Sequence, residues 1–383
     1  MKEKLSLLTV LAVLSISLPA QGQPWLGSGT EGDPYLIEDA NDMQAIGADP
    51  NYWDAHFKLT ADIDLSGFTG KDFNIIGKFV DWGHTDNDPF TGVFDGNGHK
   101  ISSFSYISTN QNGIGLFGHL GVGGKIKALG LEEVEIDAGT GRPVAALVGF
   151  SEGTITNCYA TGSVSGDVRV GGLVGRNWHD SVISHCYATG IVIGNGYIGG
   201  LVGDAYESTI RRSYTTGSVI GGGTVGGLVG FTYKTRVERC YSTSTVEGDG
   251  NIGGLVGSIM YNAVLWCYAS GNISGSSNVG GLLGQCDQPT VNYSFWDTET
   301  TGQENGIGGG PCYGFVYGKT TAQMKQKATF TNLNWDFVEV WNIGENQTYP
   351  YLRVYPVGDL NHDFRVDFFD FAILADHWLA GVE

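Results

Sequence analysis

Proline is scarce in this chain, with 10 residues in 383, and basic side chains are outnumbered, 21 Lys and Arg against 40 Asp and Glu. The resulting formal net charge of −19 argues against nucleic acid and anionic membrane as partners, because such a surface repels both. Beyond the first 22 residues there is no apolar run long enough to cross a bilayer, so no transmembrane anchor is expected. Glycine, by contrast, is abundant at 61 residues, yet it shows no Gly-X-Y period and little proline accompanies it, which excludes collagen. A hydrophobic content of 41% argues against disorder.

The first residues read as a leader. Lys2 and Lys4 precede an apolar stretch over 5–18, and Leu18-Pro19-Ala20 or Ala20-Gln21-Gly22 offers the small residues of a cleavage site. This is the pattern of a secretory signal peptide over 1–22, and it predicts a secreted or cell-surface protein.

One phrase organises most of the remaining chain. Gly171-Gly172-Leu173-Val174-Gly175 returns at 199–203, 226–230 and 253–257, then as Gly280-Gly281-Leu282-Leu283-Gly284, with an imperfect first copy at Ala145-Ala146-Leu147-Val148-Gly149. The closing glycines are 26, 28, 27, 27 and 27 residues apart. A fixed period of this size marks a repeat architecture whose units bury their apolar faces only by stacking. Each unit holds three short apolar patches bounded by Gly, Ser, Thr or Asn, which leaves no room for a helix. The spacing predicts an all-β chain: a three-sided parallel β-helix of about 27 residues per coil. The phrase glycines are expected at sharp corners with positive φ, or where neighbouring backbones approach closely.

The period also aligns other residues. Cys158, Cys186, Cys240 and Cys267 share one position, with Ser213 in the coil between, whereas Cys286 and Cys312 stand outside it. These four read as a ladder of small buried thiols, and disulfides between stacked neighbours are the alternative. Tyr159, Tyr187, Tyr214, Tyr241, Tyr268 and Tyr293 are expected to form an aromatic ladder. A second row, Trp178, Tyr206, Tyr233 and Tyr261, comes three or four residues after each phrase and is the candidate ligand-binding edge, since exposed rings in a row stack on sugars. Rings lying down to shield the corner are the alternative. His179, Glu207 and Lys234 stand beside this row as hydrogen-bonding groups.

The Gly-Gly-Leu-Val-Gly phrase together with Asn157-Cys158-Tyr159-Ala160-Thr161-Gly162-Ser163-Val164 resembles the GLUG repeat of exported bacterial surface and adhesin-like proteins. The resemblance covers roughly residues 90–296 and implies an architecture and a location more than an activity. The end of the chain resembles one half of a dockerin module. Asp359, Asn361, Asp363, Asp367 and Asp370 place oxygens at positions 1, 3, 5, 9 and 12 of a calcium loop, and Arg365 offers its carbonyl at position 7. Position 6 is Phe364 in place of glycine, and there is one loop where a dockerin has two. Phe371, Leu374, Ala375 and Trp378 recur at the spacing of an amphipathic helix. The resemblance implies bound calcium and a cohesin-like protein partner.

The expected organisation is a signal peptide over 1–22, an N-terminal cap and first strands over 23–89, the repeats over 90–296, a loop and aromatic cap over 297–357, and the calcium-loop segment over 358–383. The expected function is binding of carbohydrate or a cell-envelope partner. A polysaccharide-active lyase or hydrolase on the same scaffold is the rival, and a structural envelope spacer is a third reading. No catalytic residue is assigned. The acidic insertion holding Asp81, Asp86 and Asp88 beside Trp82 and His84 is the segment most suited to hide a site.

Overall fold

A computed structural model describes residues 25–353; the leader and the calcium-loop segment lie outside the described residues. The chain is a parallel β-solenoid. Each regular coil contributes strands to three parallel sheets of 22, 6 and 8 strands. Register repeats from coil to coil: Val148 pairs with Val174, Val174 with Val202, Val202 with Val229, Val229 with Val256, and Val256 with Leu283. Each of these side chains is fully buried, as are the leucines that precede them from Leu147 to Leu282. A slip of one residue would expose the whole row, so the apolar phrase pins the register.

Parallel pairing extends to both sides of residues 90–296. Tyr35–Ile37 pairs with His56–Leu59, which pairs with Val93–Asp95, and at the far end Thr290–Asp297 pairs with Tyr313–Lys319. At the start, the helix Ala40–Ala48 begins at Asp39, whose side chain and that of Asp42 form a capping box, and it buries Met43 and Ile46. At the finish, Phe330, Trp335 and Trp341 pack against Tyr241, Tyr268 and Phe295.

The phrase glycines do not sit at positive φ. Positive φ at the coil corners is held instead by side-chain-bearing residues such as Asn157, His185, Arg212 and Arg239, and among the coil glycines by Gly162, Gly190 and Gly217. The phrase glycines answer to close approach: a Cβ on Gly171, Gly199, Gly226, Gly253 or Gly280 would stand within about 2.0 Å of the carbonyl oxygen three residues on. Of the two reasons the sequence offered, crowding is the operative one.

The four repeat cysteines are free and buried. Each Sγ lies 3.2 Å from the carbonyl two residues back, so the thiols are satisfied where they are. Burial pushes the Cys158 and Cys240 thiols well up, which makes them poor nucleophiles. The disulfide joins the two cysteines outside the pattern, Cys286 and Cys312. Tyr159, Tyr187, Tyr214, Tyr241 and Tyr268 stack with centroids 4.8 to 5.0 Å apart. Tyr293 is not the sixth rung. Phe295 pairs with Tyr268, and Tyr293 stacks on Trp266 at a neighbouring corner.

Candidate functional site

The second aromatic row forms as far as its third member. Trp178 pairs with Tyr206 and Tyr206 with Tyr233, with ring centroids 4.2 and 4.4 Å apart and planes within 20°. The next rung is Met260, and Tyr261 lies one residue beyond, at φ 54°, meeting Tyr233 edge-on at 5.9 Å. Tyr261 is therefore out of register, as its four-residue offset from Gly257 explains. The stacked rings cover one another's faces. Glu207 bridges Lys234 at 3.1 Å and His179 at 3.5 Å, so the polar groups beside the row are paired with each other.

The row ends against the acidic insertion. Lys78 and Asp88 close that insertion as an antiparallel bridge. The Asn87 side chain accepts from Val80 N at 2.7 Å and donates to Asp81 O at 2.8 Å, while Asn112 ties Val80 to the body of the stack. Held in this way, Trp82 meets Trp178 edge-on at 4.3 Å and Phe150 at 5.8 Å, yet keeps 53% of its surface exposed. Phe79 stacks on Phe150 at 4.7 Å beneath it.

Between the insertion and the coils lies an open cleft of about 390 Å³, lined by Phe79, Asp81, Trp82, Arg142, Pro143, Arg169, Arg176 and Trp178. The Arg176 guanidinium lies 4.1 Å from the Trp178 ring centroid and 5.1 Å from that of Trp82. Below it, Asp204 is buried on the next coil, paired with Arg169 at 3.0 Å and Arg176 at 3.4 Å. Burial raises the Asp204 carboxyl against the pull of both arginines, and burial also lowers Arg176 against the pull of Asp204. Arginine remains protonated in proteins, so the two guanidinium groups hold Asp204 as a carboxylate. Among the described residues Arg142 makes no ion pair.

Sequence reasoning singled out Trp178 and the insertion without linking them, and it missed the arginines. One signal was available: Arg176 and Asp204 are a charged pair of opposite sign on adjacent coils, at a repeat position held by Phe150 and Phe231 on either side and by the uncharged Ser258 and Gln285 further on.

A second polar constellation lies on the first coils. Asp62 Oδ1 accepts from Lys100 N at 3.1 Å and lies 3.0 Å from His99 Nδ1. Glu132 contacts Lys100 Nζ at 2.7 Å and accepts from Tyr159 OH at 2.9 Å. The Lys100 and Tyr159 hydrogen bonds hold the Glu132 carboxyl below its ordinary value. Asp95 accepts from Asn97 N and pairs with Lys127, the behaviour of a structural turn. No group of three His, Cys, Asp or Glu among the described residues is arranged to hold a metal.

Two stretches of the chain, 166–193 and 221–247, match the GLUG motif. The solenoid is thus one that carries GLUG motifs. Over 151 residues it is 36% identical to halomucin of Haloquadratum walsbyi, a match covering 39% of this chain and 2% of that protein. It is 35% identical over 137 residues to a protein of Evansella cellulosilytica named "Putative Gly-rich membrane protein", covering 34% of this chain and 15% of that one. The chain therefore matches only a small part of either relative's length. Among solved structures, a "putative immunoglobulin A1 protease" from Bacteroides ovatus superposes with a TM-score of 0.58 at 20% identity, over 86% of this chain and 94% of that one. That likeness concerns the fold alone. Among the described residues no helix is long and apolar enough to cross a membrane.

Proposed function

We propose that this GLUG-motif solenoid is an exported, adhesin-like binding protein that holds carbohydrate of its surroundings in the cleft between the acidic insertion and the coils. One observation carries the reading: Trp82 is braced edge-on by Trp178 and Phe150 and still presents half its surface beside three arginines. A large aromatic fixed in an open polar cleft offers a rigid apolar platform and hydrogen-bond donors together, which suits a sugar ring. The row of Trp178, Tyr206 and Tyr233 backs that platform, and Tyr261, 49% exposed, extends the edge. A glycan array with the full chain tests the reading. Retention by the wild type and its loss in Trp82→Ala, at unchanged thermal midpoint, is the expected result. Absence of retention on any glycan would favour a structural spacer.

Calcium held by Asp359, Asn361, Asp363, the Arg365 carbonyl, Asp367 and Asp370 would serve as a tether to a cohesin-like partner. Running the array with and without calcium separates this role from the cleft, whose residues contain no comparable oxygen cluster.

A polysaccharide-active enzyme is the second reading, favoured by the Asp62, His99, Lys100, Glu132 and Tyr159 constellation, which joins carboxylates and a lysine across neighbouring coils. Release of reducing ends from a retained polysaccharide, abolished in Glu132→Gln, would establish it. Retention without release would set it aside.

A further inference from the structure

We infer that the cleft is selective for carboxylated sugars, of the uronic-acid type, with the ring against Trp82 and the carboxylate on Arg142 and its neighbours. This deepens the carbohydrate reading above and rests on it. The first ground is local charge. In a chain of net charge −19, the described residues of the cleft wall include three arginines and one carboxylate, Asp81. Asp81 is turned to its own backbone, accepting from Trp82 N at 2.7 Å. Asp204 lies beneath the wall, with Arg169 on one oxygen and Arg176 on the other. Two arginines are thus matched by one carboxylate, and Arg142 has none among the described residues.

The second ground is preorganisation. Arg176 is only 14% exposed and lies against two indole rings, so its position is set before any ligand arrives. A planar guanidinium fork matches a planar carboxylate in two parallel hydrogen bonds, a geometry an ammonium does not offer. The third ground is the combination: a ligand that satisfies an exposed indole face and an unmatched guanidinium needs an apolar face and an anionic group on one ring. A sugar acid carries both. A long nucleic-acid strand, running well beyond the cleft, would meet net repulsion from a chain of charge −19.

Titration calorimetry of the full chain with oligogalacturonate, its methyl ester and a sulfated oligosaccharide tests the inference. The expected result is saturable binding of the free acid and at least tenfold weaker binding of the neutral ester. Arg142→Gln should weaken the acid about tenfold or more at unchanged thermal midpoint, as loss of a hydrogen bond to a charged group does. Arg142 suits this test because, unlike Arg169 and Arg176, its removal leaves no buried Asp204 unpaired. Equal binding of acid and ester overturns the carboxylate selectivity and leaves the carbohydrate reading standing. Tighter binding of the sulfated oligomer overturns the carboxylate assignment in favour of a tetrahedral anion. Acid binding that survives in both Arg142→Gln and Trp82→Ala places recognition elsewhere, and binding of none of the three overturns both readings.

Discussion

The phrase glycines offer a test in which two physical reasons make opposite forecasts. At Gly226 a Cβ would stand 1.9 Å from Val229 O and 2.6 Å from Gly257 N, at ordinary φ. Both neighbours are backbone, so no side chain can swing aside, and the corner would have to open by more than an ångström. Overpacking of well-packed sites costs about 1–3 kcal/mol and sometimes more, and this position, with backbone on both sides, belongs at the upper end, about 3 kcal/mol. Gly222 is the control four residues away. It is exposed, its φ is ordinary, and its nearest neighbour to a Cβ is 3.7 Å distant. Gly222→Ala should therefore be neutral or stabilise by up to about 1 kcal/mol, through the unfolded chain. The assay is equilibrium urea unfolding followed by circular dichroism, with midpoints compared across variants, since a repeat stack need not unfold in two states. Gly226→Asn separates the reasons further: asparagine tolerates positive φ but not crowding, so it should be no better than alanine. A Gly226→Ala variant within about 0.5 kcal/mol of wild type, the range of an ordinary surface change, would refute the crowding argument.

Three further expectations rest on the packing. Thiol titration in denaturant without reductant should find four reactive cysteines, and six after reduction; two or none without reductant would mean that the repeat ladder is cross-linked. Asp204→Asn leaves two guanidinium groups facing each other, and because Arg169 is a quarter exposed the loss belongs near the low end for a broken buried pair, about 3 kcal/mol by urea unfolding; a loss below about 1 kcal/mol would show that water already screens the pair. Burial pushes Tyr214 up to about 12 and raises Tyr241 and Tyr268 as well. Because these folded-state values lie above the unfolded value of about 10, the stability they contribute is complete below pH 10 and is lost as pH rises through about 12. Urea midpoints flat to pH 10 and falling above it are expected, and midpoints flat through pH 12 would contradict the ladder's burial.

Much of the fold was legible because its determinants are periodic. The interval between closing glycines set the coil length, and the Val and Leu of the phrase set the register that Val148 through Leu283 adopt in the structure. Periodicity also misled where the chain departs from it by a residue or two. Tyr261 and Tyr293 looked like rungs because a tyrosine stood near the expected place, but strand pairing gives those rungs to Met260 and Phe295. The Cys286–Cys312 disulfide was legible in principle, since its separation of 26 residues is one coil. It was overlooked because both cysteines fall outside the shared Cys position. The cleft was the least legible part. It depends on an insertion folding back across two coils so that Trp82 reaches Trp178, and no local pattern in residues 78–90 states where that loop will land.

Binding of a sugar in the cleft can be read directly from the indoles that form it. Tryptophan fluorescence of the full chain, titrated with oligogalacturonate, should change saturably, and the change should vanish in Trp82→Ala and weaken with rising salt as arginine–carboxylate contacts are screened. A titration with no saturable change, or one that Trp82→Ala leaves intact, would contradict a sugar site in the cleft.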